Sequence, residues 1–463
     1  MALRILASMS SHHYDTQDII YALATGWTDS PIAVIRISGL GCIAQLAPLF
    51  SRPKALLQAR SHTLVHGNII DPHTSEPVDE VLVALFTNGR GYTGEESAEI
   101  SCHGTFVAIE AIFAVLKNSG MRAAEPGEFT FRAFMNGKID LTQAEAVQEI
   151  LTSGSHSAHA LALRRLEGGL FDRIEAIKAL LIEAVATVEL QLDYAEDEAE
   201  AQSQFPFKAV VKAQKLTEAL LDTYSLGRLY QMGAHIVIAG PTNAGKSTLF
   251  NLLVGHERSI VSEIHGTTRD FIEATANLDG IPITLYDTAG LRLSEDAIEL
   301  EGIKRSHQLI EKADVIILIF DGSQQITDYS AQYAQLLADE RCIPVWNKSD
   351  VAFEQPLNGF YPLSAKTAEG FEQLHKELIR RIRGGLPKPA GSAVVIESKR
   401  QHDELLRAHQ ALTEVLKQAH LELPLDVVAV ELAEALDALG SLTGEVSSAD
   451  ILQHIFSQFC VGK

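Results

Sequence analysis

The stretch His235–Asn251 reads HIVIAGPTNAGKSTLFN. It joins a short apolar run to a glycine-bounded turn and then to a helix start. Gly240, Gly245, Lys246 and Ser247 fill the pattern G-x-x-x-x-G-K-[ST]. Successive backbone N–H groups in such a loop curl around phosphate oxygens, and the helix that follows turns its positive end toward them. Lys246 is placed to reach β- and γ-phosphates, and Ser247 to ligate Mg²⁺. A chance Gly/Ser loop requires neither a strand before it nor a helix after it, and this loop has both.

Three further motifs follow in order. Asp287-Thr288-Ala289-Gly290 ends the run IPITLYDTAG, Asn347-Lys348-Ser349-Asp350 follows RCIPVW, and Ser364-Ala365-Lys366 comes shortly after. A strand-end Asp287 suits a water-bridged Mg²⁺, and the Gly290 N–H suits a γ-phosphate. The Asn/Asp pair of NKSD can hydrogen-bond a guanine but mismatches adenine's exocyclic amine. Four motifs, each at a strand end, predict a GTP-binding α/β domain. They resemble the translation-factor-like class of Ras-type GTPases.

The chain has 463 residues, enough for about three domains, and its 46% hydrophobic content is ample for sizeable cores. No apolar run reaches transmembrane length. The opening MALRILASM is too short and poorly flanked for a secretory signal; it reads as a disordered extension, with Met9 a candidate start. Cys42, Cys102, Cys342 and Cys460 are scattered, which argues against a disulfide framework or zinc site and fits a reducing cytosol. A net charge of −22 excludes nucleic-acid binding through the overall field. Any RNA contact needs a local basic patch or a partner that supplies one.

Residues from about 15 to 133 read as mixed α/β. IAVIRI (Ile32 to Ile37) is strand-like and carries Arg36, either a solvent-facing arginine on an edge or a carboxylate clamp suited to the planar guanidinium. VDEVLVALF is another strand. GYTGEESAEISCHG joins a turn to an alternating run with Glu99, Cys102 and His103; neighbours on a strand face opposite ways. EPGEFTFRAFMNGKIDLTQAEA reads as a loop leading into a helix, with Lys138 a solvated loop charge. Thr142 and Glu145 suggest a capping box and a helix start near Gln143. The text is then nearly all helix to Asp193, with an acidic loop to Gln204 and a further helix entering the GTP domain near Gly227. GGLPKPAGS (Gly384 to Ser392) has the composition of a flexible break, and two more amphipathic helical segments follow it. Apolar stripes on both sides of the GTP domain predict one helical bundle with that domain inserted.

SIVSEIHGTTRD (Ser259 to Asp270) reads as the switch loop, with Thr268 the candidate to complete Mg²⁺ coordination. After DTAG stands Leu291, which cannot orient a water as glutamine does. Catalysis therefore needs another source. An arginine finger supplies roughly 10³–10⁵ in rate. A monovalent cation beside the phosphates could take the same electrostatic position. Asn243 offers that ion a carbonyl oxygen, and the backbone carbonyls of Ser262 and Ile264 could complete its site; the alternative for Asn243 is a simple turn residue.

The chain resembles the MnmE/TrmE family of tRNA-modifying GTPases over nearly its whole length. RISG (Arg36 to Gly39), YTGE (Tyr92 to Glu95), EPGEFTFRAF (Glu125 to Phe134), NGKIDLTQAEA, NAGKS, GTTRD, DTAGLR and the terminal FSQFCVGK carry the likeness. The resemblance implies an N-terminal α/β folate-binding domain (1–133), a helical domain in two parts (134–228 and 391–463), and an inserted Ras-like P-loop GTPase domain (229–390). It implies a K⁺-activated GTPase, with Asn243, Ser262, Ile264 and Thr267 at the K⁺ positions and Ser247 and Thr268 as Mg²⁺ ligands. The expected nucleotide site takes in Asn243, Ala244, Gly245, Lys246, Ser247 and Thr248, then Ser262, Glu263, Ile264, His265, Gly266, Thr267 and Thr268. Asp287, Thr288, Ala289, Gly290, Asn347, Lys348, Ser349, Asp350, Ser364, Ala365 and Lys366 complete it. Glu299 falls where the family's water-organising carboxylate lies.

Arg36, Glu99, Lys138 and Lys463 match positions that bind a 5-formyl-tetrahydrofolate-type folate, and Cys460 matches a cysteine thought to assist at the uracil ring. The implied partners are a second copy in a homodimer, tRNA, and an FAD-binding MnmG/GidA-type protein in a heterotetramer, with no membrane. The implied product is wobble uridine carrying a carboxymethylaminomethyl or aminomethyl group at carbon 5. Two stretches depart from the family pattern: Pro241 stands one position early in the phosphate loop, and LDYAEDEAE replaces a segment more usually like IDFPEED. A ribosome-assembly GTPase that merely docks RNA would share the nucleotide motifs but not the folate positions or the CVGK end.

Overall fold

The computed structural model describes residues 17–193, 205–256, 272–287, 308–324, 333–352, 355–389, 393–446 and 449–462. The chain divides into two units, one of residues 1–148, 165–214 and 404–463, the other of residues 149–164 and 215–403.

In the first unit β1 (Ile20–Leu23), β2 (Ser30–Ser38), β3 (Thr63–Ile70), β4 (Pro77–Phe86), β5 (Ser97–Gly104) and β6 (Arg122–Ala123) form a sheet in the order β3-β4-β5-β2-β1-β6. Only the β1–β6 pairing is parallel. Alternation sends Ile35, Ile37, Val83, Leu85 and Ile100 into a core shared with Leu46, Ile109 and Ile112 of the covering helices. Arg36 points the other way. Its strand lies between β5 and β1, so the edge-strand reading of Arg36 does not hold.

Two local expectations do not hold. EFTFRAFM is a helix, Glu128–Met135, and not part of a loop. Its polar residues Glu128 and Arg132 are buried as partners of each other, which breaks the apolar stripe that would have marked it. The next helix runs Leu141–Thr152 and is capped by Asp140, not Thr142. Asp140 Oδ1 accepts from the backbone N–H groups of Thr142 and Gln143 and from the Thr142 hydroxyl, while Gln143 Oε1 accepts from Asp140 N–H. The reciprocal pair is therefore D-x-x-Q, and the helix starts two residues early.

The helix Gly169–Asp193 buries Leu170, Ile174, Ile177, Leu181, Ala184 and Val188 at three- and four-residue steps and packs on the helix Leu425–Thr443. A further helix, Ala449–Ser457, stands just before the terminal CVGK. Its Phe456 packs edge-on against Phe131 at 5.4 Å between ring centres.

In the second unit β7 (Ala234–Ala239), β8 (Ile272–Leu278), β9 (Ile281–Asp287), β10 (Val315–Asp321), β11 (Cys342–Asn347) and β12 (Tyr361–Pro362) form a sheet in the order β12-β11-β10-β7-β9-β8. All pairings are parallel except β8–β9. The six residues VIILIF of β10 are all buried, as expected of a central parallel strand covered on both faces. The helix Tyr224–Met232 spans the region where the sequence placed the entry into this domain.

Candidate functional site

The phosphate loop leaves β7 at Ala239 and ends in the helix Lys246–His256. Lys246 is buried, and its Nζ donates to the carbonyls of Gly240 at 3.0 Å and Pro241 at 2.7 Å. That folds the ammonium across the mouth of its own loop. Burial pushes the Lys246 pKa down, with Asp287 acting in the opposite direction. Ser247 Oγ donates to Asp287 Oδ2 at 2.7 Å. Asp287 is 1% exposed, and its Oδ1 accepts no hydrogen bond among the described residues. An orphaned buried carboxylate oxygen beside a hydroxyl, both hard donors, fits a Mg²⁺ ion. Asn243 is exposed at φ 62°, next to buried Ala244, while Gly245 has φ 98° and Thr248 is exposed.

The base end is built around Asn347. This buried residue closes β11; its Nδ2 donates to the Ala244 carbonyl at 2.7 Å and its Oδ1 accepts from the Ala365 N–H at 2.9 Å. One amide thus ties the phosphate loop to both later motifs. Its side chain is turned inward, which leaves Asp350 as the exposed carboxylate of NKSD. Lys348 has φ 62° and pairs with Asp321 at 2.6 Å. The Ser349 N–H donates to the Leu363 carbonyl at 3.1 Å. Ser364 is buried, with its hydroxyl oxygen accepting from the Thr367 N–H at 3.2 Å, and Lys366 is exposed. Asp321 was not among the residues expected from motifs, because no motif spacing marks it.

In the first unit, Arg36 Nε donates to Glu99 Oε1 at 2.9 Å, directly across the β2–β5 pairing. Its guanidinium lies 5.2 Å from the Tyr92 ring centre and 5.8 Å from that of Phe129. Nη1 also reaches the Gly462 carbonyl. A largely buried network lies in the same unit. Ser38 and Thr93 share a hydroxyl hydrogen bond at 2.7 Å, Ser38 donates to Glu95, and Arg132 reaches Glu95, Asp18 and Glu128. Arg122 closes it onto Asp18 and Glu128. Lys138 is exposed, donates to the Gly89 carbonyl at 3.4 Å, and lines a cavity of about 560 Å³ whose walls do not include Arg36 or Glu99. Cys460 is a free, exposed thiol whose backbone carbonyl accepts from the Gly127 N–H.

The family model for the "GTP-binding protein TrmE N-terminus" matches residues 19–138, and that for the "MnmE helical domain" matches residues 141–460. The chain belongs to the MnmE/TrmE family. It is similar to the tRNA modification GTPase MnmE of Borrelia recurrentis, at 37% identity over 98% of this chain and 100% of that protein. The same-named protein of Treponema denticola is also 37% identical, over 97% of this chain and 99% of that protein. That of Carboxydothermus hydrogenoformans is 37% identical over 96% and 100%.

Several motifs shared with the MnmE/TrmE family acquire a physical role in this chain. RISG, YTGE and EPGEFTFRAF meet in the buried network, through Ser38, Thr93, Glu95, Glu128 and Arg132. The switch residues Ser262, Glu263, Ile264, His265, Gly266, Thr267 and Thr268 lie outside the described residues, as do Thr288, Ala289, Gly290, Leu291, Glu299 and Lys463. Among the described residues no helix is long and apolar enough to cross a membrane, and no cluster of three His, Cys, Asp or Glu side chains could hold a metal ion.

Proposed function

We propose that the chain is a K⁺-activated, Mg²⁺-dependent GTP hydrolase of tRNA wobble-uridine modification. It works in the cytoplasm as a homodimer, in a heterotetramer with an FAD-binding MnmG/GidA-type protein. Together they install a carboxymethylaminomethyl or aminomethyl group at carbon 5, using a one-carbon unit from a 5-formyl-tetrahydrofolate-type folate. The name of the relatives, tRNA modification GTPase, supports the choice of substrate. The domain reading is part of the same proposal: 1–133 for folate and dimerisation, 229–390 for GTP, and 134–228 with 391–463 as the helical domain.

The hydrolase half rests on one observation: Ser247 Oγ lies 2.7 Å from Asp287 at the mouth of a loop whose Lys246 is buried and aimed inward. In this reading Lys246 binds the β- and γ-phosphates, Ser247 and Thr268 ligate Mg²⁺ while Asp287 holds it through a water, and Asp350 reads the guanine. Asn243 holds K⁺ with Ser262, Ile264 and Thr267, and Glu299 orients the attacking water. Both cations, when bound, offset charge that grows on the phosphate oxygens as the bond to the γ-phosphoryl breaks. Arg36 and Glu99, with the Tyr92 and Phe129 rings beside the guanidinium, offer charge and flat apolar surface to a folate. Lys463 belongs to the same proposed folate set, as does Lys138, which would act from the neighbouring cavity it lines, and Cys460 assists at the uracil ring.

The deciding experiment is nucleoside analysis of tRNA from a deletion strain complemented by this chain. Return of the carbon-5 modification is expected; an RNA-docking switch would leave the uridine bare, and the purified chain would not bind formyl-tetrahydrofolate. Equal hydrolysis rates in K⁺ and Na⁺ would remove Asn243 from its role. Unchanged modification with Cys460→Ser would remove that thiol from the chemistry.

A further inference from the structure

The Asp321 carboxylate is committed at both oxygens, outside all four nucleotide motifs. Oδ1 accepts from the Ser323 N–H at 3.0 Å and from the Ser323 hydroxyl at 2.6 Å, and Oδ2 accepts from Lys348 Nζ at 2.6 Å. Asp321 closes β10 in register with Asn347 on β11. The Gly322 N–H donates to the Asn347 carbonyl at 2.8 Å, and a Cβ on Gly322 would lie 2.5 Å from Trp346 Nε1. The turn after β10 is thus pressed flush against the strand that carries NKSD. Lys348 keeps φ at 62°, a conformation that a non-glycine residue holds only where its surroundings enforce it. Burial pushes the Asp321 carboxyl up, but hydrogen bonds from Lys348 and Ser323 outweigh it and hold the group below the ordinary carboxylate range.

We infer that Asp321 is the positioning residue for Lys348, fixing the lysine stem along the base pocket so that it covers the guanine ring of a bound nucleotide. The sequence places Lys348 between Asn347, which grips the phosphate loop, and Asp350, the exposed carboxylate. A lysine has a flexible four-carbon stem, and an ordered one gives up less freedom when ligand arrives. A contact to the base is the same in GDP and GTP, so both gain equally. The inference rests on reading NKSD as the base site.

The test is a double-mutant cycle on the full-length chain, read by fluorescent-GDP binding and steady-state GTP hydrolysis. Asp321→Asn is expected to weaken GDP and GTP binding by the same factor, about tenfold, with KM changing far more than kcat. Lys348→Met is expected to do the same, and the double variant to match Lys348→Met alone. Asp321→Glu recovers part of the affinity. Additive losses in the double variant, or unequal losses for GDP and GTP, would overturn the assignment. Should Asp321→Asn fail to fold, Ser323→Ala loosens the same carboxylate; binding unchanged there overturns it as well. A wild-type chain that binds no guanine nucleotide would strike at the base-site reading instead.

Discussion

Arg36 reaches across 426 positions of sequence to donate through Nη1 to the Gly462 carbonyl at 3.4 Å, while its Nε holds Glu99. The end of the chain therefore lies beside the arginine proposed to bind folate. Gly462 has φ 94°, and a Cβ there would lie 2.3 Å from the Leu23 carbonyl oxygen. Gly462→Ala forces the tail away from Arg36. With backbone strain of about 1–3 kcal/mol and a tenfold change per 1.4, formyl-tetrahydrofolate affinity is expected to fall about tenfold or more. Calorimetric titration checks this; wild-type affinity in Gly462→Ala would detach the tail from the folate site.

Arg132 and Glu128 are both 0% exposed, and Arg132 also serves Asp18 and Glu95. Arg132→Met takes the cation from Glu95 and leaves Asp18 and the fully buried Glu128 with Arg122 alone, a loss of about 3–5 kcal/mol. Against a typical total of about 5–15 kcal/mol, that is enough to bring the unit close to unfolding. Arg132→Lys is expected to restore little, because an ammonium cannot serve three carboxylates through a planar fork. Urea denaturation of the three proteins measures both effects.

The same network shows where sequence reading reaches its limit. The phosphate loop, the strand before it and the helix after it are legible because their signal is local and periodic. The helix Glu128–Met135 is not, because Glu128 and Arg132 occupy buried positions that a pattern of apolar residues marks as outward. Asp140 and Thr142 are both competent caps, and the backbone chooses between them only once the helix is placed. Arg36–Gly462 and Asp321–Lys348 are pairings made by topology: one needs the tail docked, the other needs β10 and β11 side by side.

Ser247 and Asp287 converge on one small space, with Asp287 Oδ1 left open among the described residues. In the proposed site, losing either group would weaken the hold on Mg²⁺ where charge develops in the transition state. Ser247→Ala and Asp287→Asn are each expected to lower kcat by about 10²–10³. Chelation of Mg²⁺ is expected to abolish wild-type turnover, and a magnesium titration of each variant to show a raised requirement. A variant with wild-type kcat at low magnesium would take its residue out of the site.

Asn347 spends its amide on two backbone groups, the Ala244 carbonyl and the Ala365 N–H. Asn347→Ala leaves both without that buried partner. At about 1–3 kcal/mol for a stranded buried group, a loss of about 2–4 kcal/mol is expected even without nucleotide. Binding suffers too, because the phosphate loop loses its tie to NKSD. Urea unfolding with and without GDP separates the two effects; a stability loss seen only with GDP would mean that the amide acts on the ligand instead.

Glu377 supplies a pH dependence with a defined sign. The Arg380 guanidinium does most to hold its carboxyl down, burial works against this, and Arg381 assists; the outcome is a pKa of about 2 against an ordinary 4.5. As acid is added, the unfolded chain takes up this proton first, so the contribution is complete above 4.5 and lost as pH falls from there toward 2. Glu377→Gln, which cannot titrate, is expected to be less stable than wild type at neutral pH, with the gap narrowing through that window. Urea midpoints measured from pH 7 down to about 3 check it. Parallel curves for the two proteins would mean that the Arg380 and Arg381 contacts do not hold the Glu377 carboxyl down.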